Sequence, residues 1–158
     1  MKEILIVDGY NIIGAWKELR KLKDTDLQSA RDVLIDKMAD YQGFTGIKVI
    51  IVFFDAYYVQ GIEKKTNQAK VEVIFTRKKT KQLMKKIEQL AIELREIDTS
   101  ISVATSDYTE QWVIFFAQGA LRKSARELEI EVELMEGQVR RRIQEQKKNK
   151  KRSISIPI

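Results

Sequence analysis

The chain of 158 residues contains no cysteine and no histidine. The absence of cysteine excludes disulfides, zinc–thiolate sites and thiol nucleophiles. The absence of histidine excludes the most common general base and every serine–histidine catalytic arrangement. An enzyme of this composition has to act through carboxylates, lysines, hydroxyl groups and a bound metal ion. Because oxygen ligands alone favour hard cations, we expect Mg²⁺ or Mn²⁺, and no organic cofactor.

Long apolar stretches are missing as well. No segment approaches the roughly 20 residues that a membrane-spanning helix requires. The first residues, MKEILIVDG, do not have the layout of a signal peptide, because the apolar stretch is short and is followed by Asp8. We therefore expect a cytoplasmic protein without a membrane partner.

Positive charge is in excess, with 29 Lys and Arg against 23 Asp and Glu, a formal charge of +6 and a pI near 9.4. A basic domain of this size often binds a polyanion, although a basic surface also keeps a protein in solution. The length suits one domain with one substantial core.

Apolar patterning predicts alternating strands and helices. Runs rich in Val and Ile, without strict alternation, predict buried parallel strands over residues 3–7, 47–54, 71–75 and 101–105. Helical spacing of apolar residues covers 29–41, with Gly43 as a stop, then 83–97 and 124–143. The spacings Asp107-x-x-Glu110 and Ser124-x-x-Glu127 fit capping boxes. The alternation predicts a three-layer α/β domain with a central, mostly parallel sheet.

Two polar segments interrupt this pattern. Residues 60–70 are polar and rich in lysine, which predicts a mobile loop. Residues 144–153, QEQKKNKKRS, are strongly basic and predict disorder. We therefore expect a folded domain over residues 1–143 and a basic tail over residues 144–158.

Three aspartates follow predicted strands: Asp8, Asp55 and Asp107. Parallel strands end at one edge of their sheet, called the C-terminal edge below, and open α/β sheets bind ligands there. Carboxylates that meet at one place repel each other unless a cation shares them. A divalent metal ion removes that repulsion and can stabilise a phosphodiester transition state. We expect Asp8 and Asp107 to hold the metal and Asp55 to assist directly or through water.

Each aspartate also has an ordinary structural interpretation. An aspartate after a strand is often a turn former or a helix N-cap, and the spacing of Asp107 to Glu110 fits a cap. Asp8 is harder to explain in this way, because Gly9 and Asn11 give its turn a specific shape. We expect the Asn11 amide to orient the Asp8 carboxylate by donating a hydrogen bond.

At these residues the sequence resembles a known family. The segments that carry the resemblance are VDGYNIIGAW, SARDVLIDKMADYQGFTG, VEVIFT, VATSDYTEQW and QGALRKSAREL. They are similar to the YacP-type NYN domain, a PIN-like nuclease family, over residues 2–142. The resemblance implies a PIN-like domain and an acidic, metal-binding pocket that contains Asp8, Asn11, Asp55 and Asp107. It also implies Mg²⁺ or Mn²⁺, a cytoplasmic setting, and cleavage of mRNA on the ribosome.

One segment departs from the family pattern. Where the family carries a Glu-Thr-Ala-Asp-Glu motif, this chain has basic and amide residues around Lys81 and Gln82. Loss of an anionic ligand there leaves open a catalytically impaired module that binds RNA or the ribosome. The departure itself has another explanation, a compensated frameshift, because codons for Glu-Thr-Ala-Asp-Glu-Lys read out of frame give the residues found at 81–86. Hydrolysis of small phosphate esters is a third function that the carboxylates permit.

Basic residues supply candidate RNA contacts. The candidates are Arg122, Lys123 and Arg126 before the last predicted helix, and Arg140 and Arg141 on it. Each phosphate that such a residue neutralises would contribute to a salt-dependent affinity, although a run of charges is also typical of a solvated helix face. Four aromatic residues are candidates for stacking on bases: Tyr57, Tyr58, Trp16 and Trp112. For the two tryptophans, a buried or partly buried position is the stronger expectation.

Overall fold

A computed structural model describes residues 2–55, 65–68, 71–76, 85, 99–108, 110–117 and 119–155. The strands are β1 (Lys2–Asp8), β2 (Val49–Asp55), β3 (Lys65–Gln68), β4 (Val71–Thr76), β5 (Thr99–Ala104) and β6 (Leu121–Lys123). The helices are α1 (Gly9–Ala15), α2 (Lys17–Thr25), α3 (Leu27–Thr45), α4 (Glu110–Ala117) and α5 (Ala125–Ser155). The four predicted strands are confirmed with small shifts at their ends. The helix predicted over 83–97 lies almost wholly outside the described residues.

The strands form one sheet in the order β3-β4-β2-β1-β5-β6. Each neighbouring pair from β4 to β6 is parallel, and only the outer strand β3 is antiparallel to its neighbour. The predicted α/β fold with a mostly parallel sheet is therefore confirmed. Strand β1 pairs with β2 on one side and with β5 on the other, so the order in which strands are added to the sheet changes direction at β1. Ligands of open α/β sheets bind at such a change of direction.

Helices cover both faces of the sheet. On β1, Leu5 and Val7 pack with apolar residues of α1, α2, α3 and α5, whereas Ile4 and Ile6 pack on the opposite face with Trp112 of α4. All of these side chains are buried. The strand is apolar on both faces because both are covered, which explains why its sequence shows no alternation. The result is the predicted three layers.

The segment predicted as a loop over residues 60–70 contains a strand instead. Lys65–Gln68 pairs antiparallel with β4, from Lys65 opposite Ile74 to Gln68 opposite Val71. The prediction was wrong here because the strand sequence, KTNQ, has no apolar residue from which a strand period could be read. Polar residues and lysine are common in outer strands, where they discourage pairing with other chains.

Helix α3 ends three residues later than predicted. The helix passes through Gly43 and ends at Thr45, and Gly46 follows with a φ of 73°. This left-handed conformation suits glycine, which has no Cβ to clash with the backbone. The prediction was wrong because it took the first of two glycines as the stop.

Helix α5 continues through the segment predicted to be disordered. It runs without a break to Ser155, and its side chains from Gln138 to Arg152 are exposed. The segment 144–153 lacks apolar residues before Ile154, so no buried face could be predicted, but its Gln, Lys, Arg and Glu residues favour helix by intrinsic propensity. No helix in the described ranges, α5 included, is both long enough and apolar enough to cross a membrane.

A buried tyrosine joins α3 to α5. The Tyr41 hydroxyl donates a hydrogen bond to Glu131, and Lys123 Nζ lies 2.9 Å from the same carboxylate. Burial, together with the bond to Glu131, raises the pKa of Tyr41. Burial alone would raise the pKa of Glu131, but the hydrogen bonds from Lys123 and Tyr41 lower it overall. The three side chains therefore fix α3, β6 and α5 together.

The Tyr41→Phe variant is expected to change how stability depends on alkaline pH. The folded-state pKa of Tyr41 lies above its ordinary value of 10.0, so the unfolded chain loses this proton first as the pH rises. The contribution to stability is therefore complete below that ordinary value and is lost as the pH rises toward the folded-state pKa. Urea unfolding between about pH 8 and 11 should show a steeper loss of stability in the wild type than in Tyr41→Phe. Parallel curves for the two proteins would contradict this account.

Candidate active site at the C-terminal edge of the sheet

Asp8 lies where β1 meets α1. The strand ends at Asp8 and the helix begins at Gly9, with no loop between them. A Cβ at Gly9 would lie 2.3 Å from a ring carbon of Phe54 and 2.8 Å from the carbonyl oxygen of Phe53. Only glycine therefore allows the chain to turn so close to β2. The sequence Asp-Gly thus sets the carboxylate at the C-terminal edge of the central strand.

The Asp8 side chain is held by donors from the loop after β5 and from α4. It is 6 % exposed, and its Oδ2 atom accepts hydrogen bonds from Thr105 Oγ1 and Trp112 Nε1, both at 3.0 Å. The burial predicted for Trp112 is confirmed, since its ring is fully buried. Its bond to Asp8 was not predicted. A buried indole N–H usually requires an acceptor, and here that requirement fixes the orientation of the carboxylate.

Thr105 connects Asp8 to Asp107. It directly follows β5, and its hydroxyl oxygen accepts a hydrogen bond from the Asp107 N–H at 3.0 Å. The hydroxyl has one proton, which goes to Asp8 at 3.0 Å rather than to the Asp107 carbonyl at 3.4 Å. Helix α4 begins at Glu110, and the residue that caps a helix is the one directly before its first residue. Asp107 lies three residues before Glu110, so it does not cap α4. The Thr105 hydroxyl thus joins the Asp8 carboxylate to the Asp107 backbone at one edge of the sheet, while the role of both residues as metal ligands stays a prediction.

Asn11 acts differently from the prediction. Its Oδ1 atom accepts a hydrogen bond from the Ser106 N–H at 2.8 Å, so the bond described for this side chain goes to the loop after β5 rather than to Asp8. The difference arises because α1 starts directly after Asp8, which puts Asn11 on the first turn of the helix, beside that loop. Asn11 therefore positions the loop that carries Asp107.

The same loop is joined to the start of α5. Ser106 Oγ accepts a hydrogen bond from the Ala125 N–H at 3.1 Å, and Trp16 Nε1 donates to the Ala125 carbonyl at 2.8 Å. Trp16 is buried, as predicted. The loop of residues 105–107 is thus bonded to β1, α1 and α5. Such support keeps a site in one geometry before any ligand binds.

Asp55 ends β2 at the same edge. Phe53 pairs with Asp8, and Asp55 follows two residues further along, opposite Thr76 of β4. The side chain of Asp55 lies outside the described part of the structure.

Among the described residues, no group of three or more acidic side chains is close enough to hold a metal ion. The side chains of Asp8 and Asp107 offer only oxygens as ligands, which fits Mg²⁺ or Mn²⁺ in chemical type.

The predicted RNA contacts differ in how accessible they are. Lys123 is 17 % exposed and forms an ion pair with Glu131. Arg126 is 69 % exposed and lies 2.6 Å from Glu129, so water screens this pair. Arg122 is exposed. The sequence could not distinguish these three, because the partners of Lys123 and Arg126 become neighbours only once α5 has formed.

Arg140 and Arg141 lie on the exposed part of α5. Arg141 donates a hydrogen bond from Nε to the Gly137 carbonyl at 3.3 Å. Both positions remain open to solvent. Tyr57 and Tyr58 lie outside the described residues.

Comparison with known proteins agrees with this architecture. The sequence model of the YacP-like NYN domain family matches residues 5–158 of this chain. The protein YacP of Bacillus subtilis (strain 168) is 58 % identical over 141 residues, which cover 89 % of this chain and 81 % of that protein. A crystal structure of Rae1 (YacP) from Bacillus subtilis matches with a TM-score of 0.76 and 55 % identity, over 95 % of this chain and 84 % of that one. A tryptophan-to-leucine variant of that protein matches with a TM-score of 0.72 and 52 % identity, over 94 % and 85 % of the two chains.

Proposed function

This chain belongs to the YacP-like NYN domain family, and from that premise we propose that it is a metal-dependent endoribonuclease that cleaves mRNA on the ribosome. Membership of the family supports a nuclease-like, RNA-related role. The observation that carries the finer proposal is the connection of Asp8 to Asp107 through the Thr105 hydroxyl at the C-terminal edge. These bonds fix the Asp8 carboxylate and the backbone of Asp107 before substrate arrives. The proposal implies a cytoplasmic protein, because its substrate is mRNA under translation.

The chain's own residues have distinct roles in this proposal. Asp8 and Asp107 would hold Mg²⁺ or Mn²⁺, and Asp55 would assist from the end of β2. When bound, the ion supplies Lewis-acid stabilisation of the phosphodiester and activates water. Thr105 and Trp112 keep the Asp8 carboxylate in one orientation. Asn11 keeps the loop that carries Asp107 in place.

Exposed basic side chains would bind the RNA backbone. Arg122 and Arg126 lie on β6 and at the start of α5, next to the loop after β5, and Arg140 and Arg141 extend the positive surface along α5. Each phosphate neutralised would make the affinity fall further with salt. Lys123 would contribute less, because its ammonium group is paired with Glu131.

A cleavage assay tests the proposal. Ribosomes stalled on a defined mRNA are incubated with the purified protein and Mn²⁺ or Mg²⁺, and the new RNA ends are mapped. Cleavage inside the ribosome-bound region, lost on addition of EDTA, is the expected result. Cleavage of free mRNA alone would support the nuclease and contradict the ribosomal substrate. Turnover of small phosphate esters without cleavage of RNA would contradict both.

An RNA-binding module without cleavage is the second candidate function. The segment around Lys81 and Gln82, which lies outside the described residues, is basic where the family carries acidic residues. An added positive charge near the site would oppose binding of a cation. Salt-sensitive binding of ribosomes without any new RNA ends, at saturating Mn²⁺, would favour this candidate over the nuclease.

The Thr105→Val variant is expected to lose activity while keeping the fold. Valine preserves the shape of threonine but removes the hydroxyl that donates to Asp8 and accepts from the Asp107 N–H. By analogy with other residues that orient metal ligands, the cleavage rate should fall about 10- to 100-fold. The free energy of unfolding should fall by about 1–3 kcal/mol, because buried Asp8 keeps its bond from Trp112 but loses the one from Thr105, and the Asp107 N–H loses its acceptor.

The conservative Thr105→Ser variant retains the hydroxyl and should recover most of the cleavage rate. Rates are measured as single turnovers, and stability is measured by urea unfolding. A valine variant that cleaves at the wild-type rate would show that the hydroxyl does not position the acidic residues.

A further inference from the structure

An aromatic side chain lies exposed next to the candidate active site. Tyr108 directly follows Asp107 and is 51 % exposed. The guanidinium carbon of Arg122 lies 4.3 Å from the centre of the Tyr108 ring and 4.7 Å from the centre of the Phe116 ring. Phe116 is partly buried against the core on the α4 face of the sheet. Arg122 therefore contacts one ring that is anchored in the protein and one that faces solvent.

The backbone fixes this pair beside the acidic residues. Arg122 pairs with Val103 of β5, and the next residue, Lys123, accepts a hydrogen bond at its carbonyl from the Thr105 N–H at 3.0 Å. Tyr108 and Arg122 thus lie on the two chain segments that flank the loop of residues 105–107. Tyr108 directly follows the loop that carries Asp107, and Arg122 is fixed by the pairing of β6 with β5.

We propose that Tyr108 and Arg122 form a stacking platform that holds one unpaired base of single-stranded RNA next to the cleavage site. The inference rests on the proposed ribonuclease function and names the form of RNA that the site takes. Arg122 steadies the tyrosine ring and supplies positive charge for the adjoining phosphate. The exposed part of the ring accepts any base that is free of its neighbours. Bases in a duplex are stacked on each other and cannot reach it.

A second pair in the chain serves as a control. Phe44 is 40 % exposed, and Arg142 lies 5.8 Å from the centre of its ring. Phe44 lies at the end of α3, just before the segment in which Lys48 bonds to Glu3 at the start of β1. This pair is therefore similar in composition but lies toward the opposite edge of the sheet.

Binding of a single-stranded RNA that carries one 2-aminopurine tests the platform. The full chain is used in EDTA, so that no cleavage occurs, and both affinity and fluorescence quenching are recorded. Tyr108→Leu should weaken binding by about 5- to 100-fold and lose the quenching, whereas Tyr108→Phe should retain both. Phe44→Leu should bind the single-stranded RNA and quench its fluorescence as the wild type does. The affinity of Tyr108→Leu for duplex RNA should also equal that of the wild type. Thermal unfolding checks that each variant is folded.

The outcomes separate the platform from the nuclease. Wild-type affinity and quenching in Tyr108→Leu, or an equal loss in Phe44→Leu, would overturn the platform. Cleavage is measured separately in Mn²⁺: an unchanged KM in Tyr108→Leu would overturn the platform and leave the nuclease standing. Tyrosine-dependent binding and quenching without cleavage by the wild type would support the platform and overturn the nuclease.

Discussion

The Asp8→Asn variant is expected to lose RNA cleavage almost completely while remaining folded. Asparagine keeps an oxygen that can accept the hydrogen bonds from Thr105 and Trp112, but it removes the negative charge. If the charge holds a metal ion that stabilises the transition state by several kcal/mol, the rate should fall about 1,000-fold. Because bonds to a charged acceptor are stronger than bonds to a neutral one, stability should change by no more than about 2 kcal/mol.

Asp26→Asn is the matched control for this variant. Asp26 caps α3 by accepting a hydrogen bond from the Ser29 N–H, and it is exposed. Asparagine caps helices as well as aspartate does, so the same chemical change should leave both stability and cleavage near wild type. Single-turnover cleavage at saturating Mn²⁺ measures both variants. Equal rates for Asp8→Asn and the wild type would remove the acidic edge from the mechanism.

The Gly9→Ala variant is expected to reduce both stability and activity. The added methyl group would meet the ring of Phe54 at 2.3 Å and the carbonyl oxygen of Phe53 at 2.8 Å. The ring could rotate, but the carbonyl belongs to β2 and cannot move without shifting the sheet. Overpacking of this kind typically costs about 1–3 kcal/mol. Since Gly9 directly follows Asp8, displacement of the carboxylate by about 1 Å could slow cleavage about 100-fold.

Gly14→Ala tests whether the effect at Gly9 is steric. Gly14 lies on the same helix, and a Cβ there would meet nothing within 4 Å. Alanine at a helical position is more favourable than glycine by about 0.5–1 kcal/mol, so this variant should be as stable as the wild type or more so. Urea unfolding and cleavage rates are measured for both variants. Similar behaviour of the two alanine variants would contradict the steric explanation.

The placement of Asp8 and Asp107 at one edge of the sheet could be predicted because it depends on strand direction alone. Any two parallel strands of a sheet end at the same edge, whatever their exact register. The partners of Asp8 depend on more. The register that pairs Val7 with Ala104 brings Thr105 level with Asp8, and the position of α4 brings Trp112 to the same atom. A buried indole signals that an acceptor is needed, but the sequence does not say which one.

The errors have a common physical origin. Strand β3 and the last part of α5 are polar, so the periodic burial that predicts secondary structure is absent from their sequences. Backbone pairing in the first case and intrinsic helix propensity in the second determine the structure instead. Asn11 was assigned to the wrong partner for a different reason. Its neighbour in space, Ser106, is distant in the chain, and only the folded backbone shows the two together.

The bonds of the loop after β5 have a consequence for synthesis of the protein. Asp8 and Asn11 are synthesised first, whereas Ala125, which secures Ser106, is added long after them. A nascent chain that ends before this residue has its acidic residues but not the support that holds them in register. Under the proposed nuclease function, the chain is therefore expected to become competent to cleave RNA only after Ala125 has been added, so that a shorter nascent chain does not cleave the transcript that encodes it.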